Sequence, residues 1–115
     1  MKLSIPVDIF EQSDINAGIR DLIRAGRMKE KAESQFHRVL HAAAGPKWRT
    51  LRDLELLVLQ MYGVADTQAA ISARLREVKP EIHGLKKERL AIKDPQSGKA
   101  VHFYRLVAAT LGAAS

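Results

Sequence analysis

The chain has no cysteine, which excludes disulfide bridges, thiolate-held zinc and cysteine nucleophiles. It has few aromatics, 1 Trp, 2 Tyr and 3 Phe, so its core has to be built mainly from Leu, Ile, Val and Ala. No long apolar run exists. The densest stretch, Leu54 to Tyr62, is broken by Glu55 and Gln60 and is too short to span a bilayer. Met1 to Phe10 carries one Lys, an interrupting Pro6 and an early Asp8, and lacks the basic start and apolar stretch of a signal peptide. The seven glycines are isolated from one another, so there is no Gly-rich phosphate loop. These absences predict a soluble, cytoplasmic protein with no membrane partner.

Catalytic signatures are also missing. Ser4, Ser13, Ser34, Ser72 and Ser97 sit in no nucleophile motif. His37 and His41 stand four apart, a spacing that suits a metal on one helix face, but no Glu follows His37 and no third ligand is evident. His83 and His102 lie far off in sequence. The pair reads better as packing or surface histidines. The expectation is a non-enzyme with no catalytic residues, no metal and no cofactor.

What the chain does have is positive charge, unevenly placed. Over 115 residues it holds 19 Lys/Arg against 13 Asp/Glu, a net of +6. Residues 1–66 are nearly balanced, with ten Lys/Arg against nine Asp/Glu, whereas residues 67–115 carry nine against four. Basic charge gathered on one module is the electrostatic footprint of a nucleic-acid binder. A chain of this length supports one small domain plus an extension.

Lys2 to Phe10 alternates roughly (Leu3, Ile5, Val7, Ile9) and predicts a short strand, confined to a sheet edge by Pro6. Ser13 can cap a following helix with Asp14 in its first turn, and Ile15, Ile19, Leu22 and Ile23 form its apolar stripe before Gly26 stops it. A second helix is predicted from about Met28 to Ala44, burying Phe36, Val39, Leu40 and Ala43 and ending at Gly45-Pro46. Thr50 caps a third, with Asp53 in the capping-box position and Leu51, Leu54, Leu57, Val58 and Met61 along its core stripe. Leu56 and Leu59 widen that apolar arc, which predicts either a central helix or one packed on the N-terminal extension or a second subunit. Gly63-Val64-Ala65 forms a turn, and Asp66 caps a fourth helix over Thr67–Val78. After a loop marked by Pro80 and Gly84, Lys86–Lys93 and Lys99–Val107 are strands joined by Asp94-Pro95-Gln96-Ser97-Gly98. Tyr104 and Leu106 are expected to face the core together with Leu90 or Ile92, with Phe103 on the opposite side.

At about 100° per residue the fourth helix separates two faces. Ile71, Leu75 and Val78 cluster inward, while Ala69, Ser72, Ala73 and Arg76 lie opposite. Small residues there let the backbone approach a groove wall, and Arg76 can reach a phosphate or the O6/N7 edge of guanine. Gln68 and Ser72 stand near the helix start, where recognition helices contact bases. The plain alternative is a surface helix rich in Ala, the best helix former. The cations Lys86, Lys87, Arg89, Lys93 and Lys99 on the hairpin favour the nucleic-acid reading, although cations also protect a solvated sheet edge. Trp48 reads as a core anchor rather than a base-stacking platform.

These elements carry a resemblance. Trp48-Arg49-Thr50-Leu51-Arg52-Asp53-Leu54, Ala70-Ile71-Ser72-Ala73-Arg74-Leu75-Arg76-Glu77-Val78, Asp94-Pro95-Gln96-Ser97-Gly98 and Tyr104-Arg105-Leu106 resemble the small winged-helix proteins of phages and prophages. The resemblance covers about half the chain, residues 48–107. It implies that the Trp-x-Thr-Leu element opens the second core helix, that Ile-Ser-Ala-Arg-Leu-Arg belongs to the recognition helix, and that Tyr-Arg-Leu closes the wing.

The expected fold is mainly α with a small β-hairpin, a winged helix-turn-helix core over 27–107. An N-terminal helical extension over 1–26 and a flexible tail over 108–115 complete the expected organisation. The expected function is binding of double-stranded DNA as a phage- or prophage-encoded transcriptional regulator in a bacterial or infected host cell. Contacts are expected from Gln68, Ala69, Ser72, Ala73 and Arg76 on the recognition helix (67–78), and from Lys86, Lys87, Arg89, Lys93 and Lys99 on the wing (86–107). A homodimer on two half-sites is the economical arrangement. Ile15, Ile19, Leu22 and Ile23 are the candidate interface, unless that stripe caps the monomer's own core. The rival expectation is a module that docks on host or phage proteins with little or no DNA binding.

Overall fold

The computed structural model describes residues 3–28 and 34–109. Its order is α1 (Ile9–Arg24), α2 (Gln35–Ala43), α3 (Leu51–Tyr62), α4 (Gln68–Arg76), a single turn α5 (Pro80–His83), then β1 (Leu85–Lys93) and β2 (Ala100–Ala108) paired antiparallel. It is the expected helix-rich domain with a two-stranded hairpin. The main core joins α2, α3, α4 and the base of the hairpin through Val39, Leu40, Leu54, Val58, Ile71, Leu75, Leu85 and Leu106, all buried.

Local chemistry sets most helix ends. Thr50 and Asp53 exchange side-chain hydrogen bonds with each other's backbone N–H at 3.0 Å, the predicted capping box. Gly63 closes α3 in the left-handed conformation (φ 69°), which glycine adopts without a Cβ clash. Two predicted caps are corrected. α1 starts at Asp8, whose carboxylate accepts from the N–H of Phe10 and Glu11, so Ser13 lies inside the helix. α4 is capped by Thr67, whose hydroxyl accepts from Ala70 N–H at 3.1 Å. Asp66 has a stronger use one residue earlier: it is buried and ion-paired with Arg38 of α2.

Other expectations shift. Residues 3–8 form no strand; Leu3, Ile5 and Val7 are half-buried and alternate with exposed Ser4, Pro6 and Asp8, but no ladder partner meets them. α2 begins at Gln35 after the cap Ser34, later than Met28; residues 29–33 lie outside the described part. Met61, placed in the core stripe of α3, is exposed together with Leu56 and Leu59. The helix is thus less central than its apolar arc implies. The loop at Pro80 forms a helical turn, with Gly84 as its left-handed cap. Ala108, expected in the tail, pairs with Leu85, and the N–H of Ala109 donates to Gly84 O. Residues 110–115 of the predicted tail lie outside the described residues.

β2 is the inner strand. One edge pairs with β1, and the other meets the connector after α2 through bridges Ala44–Leu106 and Arg49–Tyr104. The register pairs Arg89 with Tyr104 and Lys87 with Leu106, but Leu90 with Phe103 and Ile92 with Val101. Directly paired residues share a face, so Leu90 and Ile92 lie with Phe103 and not, as expected, with Tyr104. The Tyr104–Leu106 face meets the main core. The opposite face buries Phe103, Arg105 and Val107.

α1 meets this second face at Arg105. Arg105 donates to Glu11 of α1 at 2.5 Å, to Glu88 of β1 at 2.7 Å and to Pro46 O at 2.9 Å, and its guanidinium lies 4.2 Å from the Trp48 ring centre. Burial works against this charge, but the Glu11 and Glu88 carboxylates more than offset it and raise the Arg105 pKa. Trp48 accordingly anchors structure. Gly18 lets α1 come close to β2, since a Cβ there would stand 2.9 Å from that of Ala108.

Candidate nucleic-acid interface

The turn that aims α4 is tied down from behind. Asp66 accepts from Arg38 Nε and Nη2, each at 3.1 Å, and from Gln35 Nε2 at 3.0 Å. The Arg38 hydrogen bonds outweigh burial, and with help from Gln35 hold the Asp66 carboxyl below its ordinary pKa. Beside this pair, burial raises the Tyr62 hydroxyl pKa against the opposing charge of Arg38. Together with the cap Thr67, this tie fixes where α4 starts and which face it presents.

Ile71 and Leu75 are buried and Val78 packs on the core, as the periodicity predicts. Gln68, Ala69 and Arg76 are exposed, and Ser72 and Ala73 are half-buried. The outward face therefore carries small side chains between two longer polar ones. Glu77 also lies outward and holds Arg74 at 2.7 Å.

The wing cations are all exposed, but they do not form one set. Lys87, Arg89 and Lys93 share the face that, at its base, carries Leu85 and Leu106 into the helical core. Lys86 falls on the other face, 3.7 Å from Glu88. Lys99 follows the turn, where Asp94 Oδ1 accepts from Gln96 N–H and Ser97 Oγ from Lys99 N–H. The cations of β1 also line the free edge of the sheet, since β2 is paired on both sides.

Two residues at this surface were not singled out from sequence. Glu55 of α3 accepts from Gln68 Nε2 at 3.1 Å and lies 3.6 Å from Arg52 Nη1. Arg52, in the first turn of α3, has a side chain 69% exposed. Their own i,i+3 spacing is visible in sequence, but the contact with Gln68 depends on the angle between α3 and α4. Near the same end of α3, burial lowers the Arg49 pKa against the nearby charge of Asp53.

The α1 stripe is spent within the monomer. Leu22 is buried, Ile19 and Ile23 pack against the core, and Ile15 is half-buried. This is the core-capping alternative rather than a free dimer face. Two of the four histidines are likewise engaged locally: His37 Nδ1 lies 2.9 Å from Ser34 Oγ, and His83 accepts from Lys79 N–H while packing 4.8 Å from Phe36. Among the described residues no group of three His, Cys, Asp or Glu is placed to hold a metal, and no helix is long and apolar enough to cross a membrane. No protein-family model, curated protein or solved structure matches this chain.

Proposed function

We propose that this chain binds double-stranded DNA as a winged helix-turn-helix protein and regulates transcription. The supporting observation is the outward face of α4. Gln68 and Arg76 bracket Ala69, Ser72 and Ala73, and the start of the helix is held by its cap Thr67 and by the Asp66 tie. Eight residue steps separate the two polar ends, about 12 Å along the axis, or three to four base-pair steps. A B-form major groove admits a helix of this kind. Lys87, Arg89 and Lys93, on the hairpin face turned to the helices, and Arg52, at the start of α3, neutralise phosphates on either side. Residues 48–107 resemble phage and prophage winged-helix proteins, which supports a regulatory role.

The test is fluorescence anisotropy with labelled duplex from 50 to 200 mM salt. Affinity is expected to fall steeply as salt rises, because condensed counterions are released on binding. Arg76→Ala should weaken binding roughly tenfold or more at a preferred site. Lys87→Ala with Arg89→Ala should lower the salt slope by about 1 per charge removed. Duplex affinity unchanged by all three substitutions refutes the proposal.

The second reading, a protein-docking module, draws on Leu56, Leu59, Met61 and Val64, large apolar residues left exposed on α3 and the following turn. It predicts loss of partner binding on Leu59→Lys with duplex binding absent throughout.

A further inference from the structure

We propose that Glu55, on the helix before the recognition helix, sets base preference at the start of α4 by fixing the orientation of the Gln68 amide. This rests on the DNA-binding reading above. Glutamine is ambivalent on its own: its amide oxygen accepts, its nitrogen donates, and a half-turn exchanges the two. A free Gln68 can therefore meet a base acceptor as readily as a base donor.

The structure removes that ambivalence. An ionised carboxylate only accepts, so the atom of Gln68 that meets Glu55 Oε1 at 3.1 Å has to be Nε2. Oε1 of Gln68 then points away from Glu55, on an exposed residue at the first position of α4. Whatever lies against that end of the helix meets this oxygen as an acceptor beside the remaining hydrogen of Nε2, and the amide is no longer free to exchange the two.

In the major groove, adenine N6 and cytosine N4 are donors, whereas guanine O6 and N7 and thymine O4 are acceptors. With the amide fixed, its oxygen accepts from the amino group of adenine or cytosine and opposes guanine O6 or thymine O4. Adenine is favoured over cytosine, because the second hydrogen on Nε2 remains for adenine N7. Arg52, 3.6 Å from the same Glu55 oxygen, compensates the carboxylate's repulsion of nearby phosphates. Glu55 is thus a positioning residue, and Gln68 makes the contact.

The experiment is selection from a randomised duplex pool by the full chain, wild type and the variants Glu55→Gln, Glu55→Ala, Gln68→Ala and Arg52→Ala. For the wild type, one position of the enriched site should favour adenine over guanine at least roughly fivefold. Gln68→Ala should abolish that preference, and both Glu55 variants should flatten it at the same position while other positions keep theirs. Arg52→Ala should weaken binding to all sequences alike without changing the preference. Glu55 variants that keep the wild-type preference at the position Gln68→Ala erases overturn the inference and leave DNA binding standing. A loss spread over every position, with a lowered melting temperature, also overturns it, by showing a structural role. No duplex binding by the wild type overturns the function itself and this inference with it.

Discussion

Removing the Asp66 carboxylate strips the turn between α3 and α4 of its tie to α2. Three donors converge on that carboxylate at 3.0 to 3.1 Å, two from Arg38 and one from Gln35. In Asp66→Ala the Arg38 guanidinium keeps its charge and loses its partner, with only 19% of its side-chain surface in water. Stranding one member of a buried pair costs about 3–5 kcal/mol, and residual solvation of Arg38 favours the lower end. Against a total stability of about 5–15 kcal/mol, the expected fall in melting temperature is roughly 10–20 °C. Replacing both residues, Arg38→Met with Asp66→Leu, leaves no stranded charge and should recover most of the loss. The double-mutant cycle, followed by circular dichroism at neutral pH, measures the coupling directly. A single-variant cost below about 1 kcal/mol, or a coupling below about 0.5 kcal/mol, refutes the reasoning. The pair also predicts a pH dependence. The Arg38 hydrogen bonds lower the Asp66 pKa, so on acidification the unfolded chain takes up this proton first. Its contribution is complete above the unfolded value near ~3.9 and is lost as pH falls through the lower folded value. Asp66→Asn should lack that part of the acid decline.

Three further outcomes follow from the packing. Gly84→Ala should cost at least about 2 kcal/mol, because it combines a left-handed φ of 70° with a Cβ 2.6 Å from Leu22; Gly63→Ala, equally left-handed but in open space, should cost about 1 kcal/mol, and equal melting temperatures would contradict this. Arg105→Met should destabilise by about 2–4 kcal/mol and speed amide exchange in α1 more than in α3, since Glu11 loses its partner and Glu88 keeps only Lys86 at 3.7 Å. Lys86→Ala should change the salt slope of duplex binding less than Lys87→Ala does, because Lys86 lies on the other face beside Glu88; equal slopes would show that the faces are not distinguished.

Elements whose causes are local were legible in the residues. The capping box at Thr50 and Asp53, the stops at Gly26, Gly45 and Gly63, and the turn at Asp94–Gly98 each depend on side chains within a few positions of one another. The buried face of α4 follows from a period of 3.6 and needs no tertiary information. Expectations failed where two local solutions compete. Asp66 and Thr67 can each cap α4, and only the distant Arg38 decides between them. Asp8 and Ser13 can each start α1, and the alternation through Leu3, Ile5 and Val7 favoured a strand that has no partner edge to join.

Composition and periodicity alone determined the existence and order of α1 to α4 before the hairpin, the inward residues of α4 and the concentration of charge after residue 66, because each depends on neighbours in sequence. Folding decided which face of the hairpin turns to the helical core, through the packing of Leu85 and Leu106, and so on which side Lys87, Arg89 and Lys93 lie. It also decided that the α1 stripe covers the chain's own core and that Glu55 meets Gln68. Those outcomes join residues many positions apart, so they depend on helix angles and strand register, which no short stretch of sequence encodes by itself.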